Sequence, residues 1–191
     1  MRRSWMIAVA ATAVTAGCGG GGGPAAAPTA PSPTALSPTA VHRLTVSSTA
    51  FPDGGAIPRR NTCDGADVSP PLALGAVPAH TASLALLLRD LDAAHGTFTH
   101  WLVWDIAAHT TRLAAGEHPR GATEGRNDFG RTGYGGPCPP RGDRPHRYVL
   151  TVYAVDRRVS LGAGATPADL LRAFSGHTLA VGTVTGRYGR G

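Results

Sequence analysis

Apolar residues recur in short runs punctuated by glycine and proline rather than at helical spacing. Runs rich in Val, Leu, Thr and aromatic residues span 44–48, 83–90, 99–106, 147–156 and 178–188, and each has strand character. Along Ser83-Leu84-Ala85-Leu86-Leu87-Leu88-Arg89-Asp90, two-residue alternation places Asp90 on the face of Leu84, Leu86 and Leu88. On the next run the same alternation groups His100 with Leu102, Trp104 and Ile106. A hairpin between the two runs brings Asp90 and His100 to one end. One helix is signalled, from residue 166 to about 174: Thr166 suits the cap, Pro167 the first turn, Asp169 the helix dipole, and Gly176 ends it. The connection over 107–131 is long and turn-rich, with room for a short helix. The pattern predicts a mainly β domain of two packed, largely antiparallel sheets with one or two short helices.

The first forty residues follow another pattern. Arg2 and Arg3 precede an apolar stretch from Trp5 to Ala16, too short to span a bilayer comfortably, and small residues lead to Gly17-Cys18. Residues 1–17 are expected to be an export signal. Thr15-Ala16-Gly17-Cys18 resembles the bacterial lipoprotein box, with Thr in place of the usual leucine, so Cys18 is the expected lipidation site. The alternative is an ordinary secretory peptide with an incidental cysteine. Between residues 19 and 40 only Leu36 is large, and burial cannot offset the entropy of ordering such a segment. Residues 18–41 are therefore expected to be a tether of roughly 20 residues at up to ~3 Å each. Residues 42–191 form the expected domain, on the outer face of the cytoplasmic membrane.

Basic residues outnumber acidic ones 18 to 12, and all are arginine. They are scattered, with only three tryptophans and four tyrosines among them, which argues against nucleic-acid binding. In an exported domain Cys63 and Cys138 are expected to form a disulfide, free thiols and metal ligation being the alternatives. Closing that loop stabilises a domain by about 3 to 4 kcal/mol.

Candidate chemistry gathers at the strand ends. Asp90 and His100 each end an apolar stripe, and His146 stands between the loop Gly133-Tyr134-Gly135-Gly136-Pro137-Cys138-Pro139-Pro140 and the next strand. Glycines let backbone N–H groups approach a ligand, and a nest of such groups favours an anion. Singly, each has an ordinary explanation: aspartates start turns, and histidines near apolar faces are usually core residues. Their convergence on one rim is the argument.

The segment running from Arg126-Asn127-Asp128-Phe129-Gly130 through Pro139-Pro140, with His146-Arg147-Tyr148, resembles the bacterial and archaeal, Raf kinase inhibitor-like branch of the phosphatidylethanolamine-binding family. Cys63-Asp64-Gly65, Ser69-Pro70-Pro71-Leu72, Asp90-Leu91-Asp92-Ala93 and His100-Trp101 add to the likeness, which covers roughly residues 44–188. The resemblance implies a two-sheet fold with a small cavity for phosphate-like and head-group anions. It assigns Asp90 to the cavity with Asp92 supporting the loop, His100 and His146 as its histidines, and Gly136, Cys138 and Pro140 as its wall with Tyr134 nearby. Leu91 and Ala94 replace the usual prolines, and Phe98 stands near a position often held by tryptophan, so a looser loop and a reshaped rim are expected. The sequence ends at Gly191 without the extra C-terminal helix of animal members, and their kinase inhibition is not expected here.

The leading expectation is a non-enzymatic binding protein for a small anion or phospholipid head group, without cofactor. An inhibitor of a protease or kinase acting through a protein partner is the alternative. A hydrolase is a further one, opposed by the lack of a Gly-x-Ser-x-Gly elbow and of a nucleophile beside the histidines. Asp90, Asp92, His100 and His146 have metal-ligand chemistry but no compact ligand spacing, and no metal is expected. Arg141-Gly142-Asp143 is read as a turn rather than an adhesion motif.

Overall fold

The computed structural model describes residues 42–191. The predicted export signal, Cys18 and the tether lie outside the described residues. In chain order the elements are β1 (His42–Arg43), β2 (Thr45–Ser47), β3 (Leu72–Gly75), β4 (Ser83–Asp90), β5 (Phe98–Ala107), β6 (Arg112–Leu113), β7 (Thr123–Glu124), β8 (His146–Val155), α1 (Pro167–Ala173) and β9 (Thr178–Tyr188). A 3-10 turn at Arg59–Asn61 completes them. A six-stranded sheet has the order β1-β9-β8-β4-β5-β7, and a three-stranded sheet the order β2-β3-β6. All pairs are antiparallel except β1 with β9.

The long strands stand where the pattern predicts them, within a residue at each end. The run over 44–48 is shorter, with β2 at Thr45–Ser47 pairing with β3, and β1 just before it pairs with β9 in the other sheet. Leu44 is the crossing point, its amide bonded to Val181 O at 3.1 Å. A Cβ at Gly182 would collide with the Leu44 carbonyl, so this close crossing requires glycine. β6 and β7, two residues each, are too short to show alternation, β3 alternates over only four residues, and the 107–131 connection holds β6 and β7 rather than a helix.

The large sheet is covered on both faces. On one side Leu84, Leu86, Leu88, Trp101, Val103, Leu150 and Val152 pack toward the small sheet's Leu72, Leu74 and Leu113. On the other, Ala85, Leu87, Leu102 and Trp104 pack with Leu170 and Phe174. α1 is fixed there by a capping box: the Thr166 hydroxyl accepts from Asp169 N at 3.3 Å, and the Asp169 carboxylate accepts from Thr166 N at 3.0 Å. Two-sided burial explains why 84–88 is a continuous apolar run rather than an alternating one.

β5 departs from simple alternation twice. Its register against β4 steps between the pairs Leu84–Ile106 and Leu86–Val103, and Asp105 adopts φ 58° there. It steps again between Leu88–Trp101 and Arg89–Thr99, leaving His100 as the extra residue. The predicted grouping of His100 with Leu102, Trp104 and Ile106 is therefore incorrect. Leu102 and Trp104 face the helix, whereas Ile106 and Trp101 face the small sheet.

Cys63 and Cys138 form a disulfide, with Cα atoms 5.4 Å apart across 75 residues of sequence. It ties the turn after Asn61 to the Gly/Pro loop, where Cys63 N also donates to Pro137 O at 3.2 Å. Replacing both cysteines with alanine is expected to lower the unfolding free energy by about 3 kcal/mol. Urea titration monitored by circular dichroism measures this, and an unchanged midpoint would contradict the loop-closure account.

Candidate functional site

Asp90 ends the central strand β4, with Tyr148 of β8 as its partner on one side and Phe98 of β5 on the other. Both carboxylate oxygens accept hydrogen bonds: Oδ2 from His146 Nδ1 at 2.8 Å and Oδ1 from the Asp92 amide at 2.8 Å. His146 opens β8, and its Nε2 lies 3.5 Å from an oxygen of Asp143. The bulge turns His100 to the same side, where its ring meets Tyr148 edge-on at 5.2 Å. Asp90, His100 and His146 are 3 to 4% exposed, so they form a buried cluster rather than the wall of an open cleft. A groove of about 450 Å³ lies elsewhere, along Pro71, Ala73, Arg112 and Glu117.

His100 is gripped by the Gly/Pro loop. Its Nδ1 lies 2.8 Å from Gly135 O and 3.1 Å from Gly136 O, so this nitrogen carries the proton and Nε2 is the unprotonated one. The His100 carbonyl in turn accepts from Gly135 N at 3.0 Å. Burial pushes the His100 pKa below 6.5, against the opposing pull of the Gly135 carbonyl and the Asp90 charge.

The remaining predicted residues occupy supporting positions. Asp92 turns its carboxylate to Arg147, accepting from the amide at 2.8 Å, Nε at 2.9 Å and Nη2 at 2.8 Å. These bonds hold its pKa well below the usual carboxylate range. Together with the Leu91 amide on Arg147 O at 3.0 Å, they anchor the start of the loop where the missing prolines predict looseness. The Tyr134 hydroxyl donates to Asn61 O at 2.6 Å, and its ring meets Trp101 edge-on at 5.7 Å. Cys138 is held in the disulfide, and Pro140 is exposed on the rim.

Nor does the glycine loop form the predicted nest. Gly135 N is bonded to His100 O, and Gly136 N donates to Asp67 Oδ1 at 2.6 Å, so these amides face protein acceptors. A Cβ on Gly136 would stand 2.5 Å from Asp67 Oδ1 and 2.8 Å from Asn61 O, which accounts for glycine at this position.

Sequence reasoning missed three participants. Tyr148 is 1% exposed, and its hydroxyl sits beside the Asp90 carboxylate and the Cys138 backbone without a well-formed hydrogen bond to either. Burial first, then the neighbouring Asp90 charge, push its ionisation upward, so it remains a phenol. Asn127, 2% exposed, donates to Gly133 O at 2.9 Å and accepts from the amides of Phe129 at 3.1 Å and Arg131 at 3.2 Å. It shapes the loop that holds His100. Asp67, at φ 54°, fixes Gly136. A signal existed for Tyr148 alone: two-residue spacing puts it on the His146 face.

Phe129, 43% exposed, and Leu91, 40% exposed, flank the site. Phe129 packs edge-on against His100 at 5.2 Å and against Phe98 at 4.8 Å. Among the described residues no group of three or more His, Cys, Asp or Glu side chains is arranged to hold a metal.

The protein is thus a two-sheet β sandwich whose central strand ends in a buried Asp-His pair, beside a histidine held by a glycine loop. The chain belongs to the phosphatidylethanolamine-binding protein family, whose model matches residues 47–189. It is 42% identical over 153 residues to a UPF0098 protein of Methanothermobacter thermautotrophicus, covering 78% of this chain and 100% of that one. A Mycobacterium tuberculosis protein bearing the lipoprotein name LppC is 39% identical over 180 residues, 89% of each chain. Among solved structures, Escherichia coli YbcL, described as a member of the mammalian family, superposes with a TM-score of 0.74 at 30% identity. The homologue CT736 of Chlamydia trachomatis does so with 0.74 at 35%. Each match covers 78% of this chain and 99% of the other.

The fixed tautomer is directly testable. Nitrogen-correlated NMR of the imidazoles is expected to show His100 as the Nδ1–H form with a midpoint below 6.5. The folded ring holds its proton less tightly than the unfolded one. His100 thus supports folding fully above 6.5 and withdraws that support as pH falls toward its folded midpoint. A midpoint above 6.5 would contradict the assignment.

Proposed function

We propose that this family member is a non-enzymatic binding protein whose ligand is a small anion, a phosphate or phosphoryl group, seated against Asp90, His100, His146 and Tyr148. The carrying observation is the buried Tyr148 hydroxyl, which lies beside Asp90 and the Cys138 backbone without a well-formed hydrogen bond to either, in a cluster where the Gly135 and Gly136 carbonyls hold His100 Nδ1 and leave Nε2 over. A poorly bonded buried hydroxyl costs up to about 1 to 3 kcal/mol, and a ligand oxygen at this point offsets that cost. Asp92, Gly136, Cys138 and Tyr134 position the cluster, and Pro140 belongs to its rim.

A binding role without catalysis is favoured because both histidines have carbonyl or carboxylate partners rather than a hydroxyl or thiol nucleophile. The exposed Phe129 and Leu91 beside the cluster favour a protein partner as the second reading.

Calorimetric titration of the full-length chain in detergent with inorganic phosphate and phosphoethanolamine distinguishes the two. Saturable binding is expected, falling roughly tenfold or more in His100→Ala and His146→Ala as ligand hydrogen bonds are lost. Binding unchanged in both variants, or no binding, would turn the search to protein partners of the Phe129 rim.

Lipid anchoring through Cys18 rests on Gly17-Cys18 and on the name of the M. tuberculosis relative. In a bacterial host that processes lipoproteins, the protein is expected in the membrane fraction and labelled by palmitate. Cys18→Ala is expected to abolish the label, and a label that persists would contradict the assignment.

A further inference from the structure

The Gly/Pro loop is fastened to the turn after Asn61 in two ways. One is the Cys63–Cys138 disulfide. The other is a set of hydrogen bonds that does not involve sulfur: Cys63 N to Pro137 O at 3.2 Å, Tyr134 hydroxyl to Asn61 O at 2.6 Å, and Gly136 N to Asp67 Oδ1 at 2.6 Å. Arg190 adds to them, donating to Asp64 from Nε and Nη2 at 3.0 Å each and to Pro139 O at 3.5 Å. Turn and loop therefore stay together when the covalent link is open, and neither cysteine belongs to a strand.

Access to the two sulfurs is unequal. Cys63 is exposed, whereas Cys138 is partly buried between the buried Pro137 and Pro139. Arginines gather on the Cys63 side. Arg59 and Arg60 form the 3-10 turn just before it, and a Cβ at Gly65 would collide with the Arg59 carbonyl, so that turn folds back against the residues after Cys63. Arg131 reaches the same segment through Asp67 at 3.3 Å, and Arg190 and Arg141 through Asp64 at 3.0 and 3.9 Å. Five guanidinium groups thus belong to or reach residues 59–67, whose two carboxylates are already engaged. Among the described residues no carboxylate pairs with Arg59 or Arg60. An exposed disulfide in such a field is accessible to thiolates, and cations beside it stabilise the thiolate that leaves.

We infer that Cys63 is an exchange site for small anionic thiols, and that opening there loosens the loop holding His100 while the domain stays folded. The incoming thiolate sulfur bonds to Cys63 Sγ and the Sγ–Sγ bond breaks. Cys138 leaves with the electron pair as a thiolate and takes a proton from water. The products are a mixed disulfide at Cys63 and a free thiol at Cys138. Gly135 and Gly136, whose carbonyls hold His100 Nδ1, lie three and two residues before Cys138. With the link open, their grip rests on hydrogen bonds alone. The exchange is independent of what the cluster binds.

The test is incubation of the full-length oxidised chain, without denaturant, with glutathione, which is anionic, and with cysteamine, which is cationic. Mass spectrometry with peptide mapping separates adducts at Cys63, Cys138 and Cys18. Each rate is divided by that of the same thiol with neutral hydroxyethyl disulfide. An adduct on Cys63 is expected, with the circular dichroism spectrum retained. The normalised rate is expected to favour glutathione severalfold at low salt, a preference lost at about 1 M salt and in Arg59→Ala/Arg60→Ala. Hydrogen exchange at the Gly136 amide is expected to quicken roughly tenfold or more in the adduct. A disulfide that opens only in denaturant, or an adduct on Cys138, overturns the exchange site. Equal normalised rates for the two thiols overturn the role of the arginines, and unchanged exchange at Gly136 overturns the coupling to His100. The salt comparison on the wild type stands even if the arginine variant does not fold.

Discussion

A strand buried on both faces and paired on both edges dictates the rest of this protein. β4 has β5 and β8 beside it, the small sheet over one face and α1 over the other. Within such a strand an unmatched polar group is costly, yet β4 ends in a carboxylate. Asp90 is tolerable because a histidine from β8 and a backbone amide from the next loop reach both of its oxygens. The polar cluster is therefore the manner in which the core terminates, and whatever rests against it does so on a rigid base.

Much of this was legible in the chain. The long strands were marked by composition and breakers, and the helix by its cap. Asp90 and His100 stood out because each ends an apolar stripe, and His146 because it stands between the Gly/Pro loop and the next strand. The signals that failed were those erased by irregularity. An extra residue in β5 cannot be seen in a run that is apolar on both faces, so the facing of Leu102 and Trp104 was misjudged while the arrival of His100 at the right end was not. β3, β6 and β7 are two to four residues long and held by partners distant in sequence, too short for their pattern to mark them as strands.

The glycine loop shows a different kind of illegibility. Glycine there was rightly expected for close backbone approach, but composition does not reveal what approaches. Gly136 lies against Asp67 and Asn61, and Gly135 against the His100 backbone. The loop's carbonyls, rather than its amides, reach the His100 ring and decide which nitrogen is free. Asn127 is the hidden organiser of that loop, buried and bonded to several backbone groups at once.

The Cys63–Cys138 link divides the cluster along the chain. Asp90 and His100 belong to the covalent ring, whereas His146 and Tyr148 come after it, so the partners Asp90 and His146 are separated by 56 positions. In a chain made from its amino end, both cysteines of the ring precede β8 and β9. Until those last strands arrive, β4 lacks one edge partner and Asp90 lacks its histidine. Completion of the site is thus a late event in biogenesis, and the exposed leucine strand is at risk of the wrong partner in the interval.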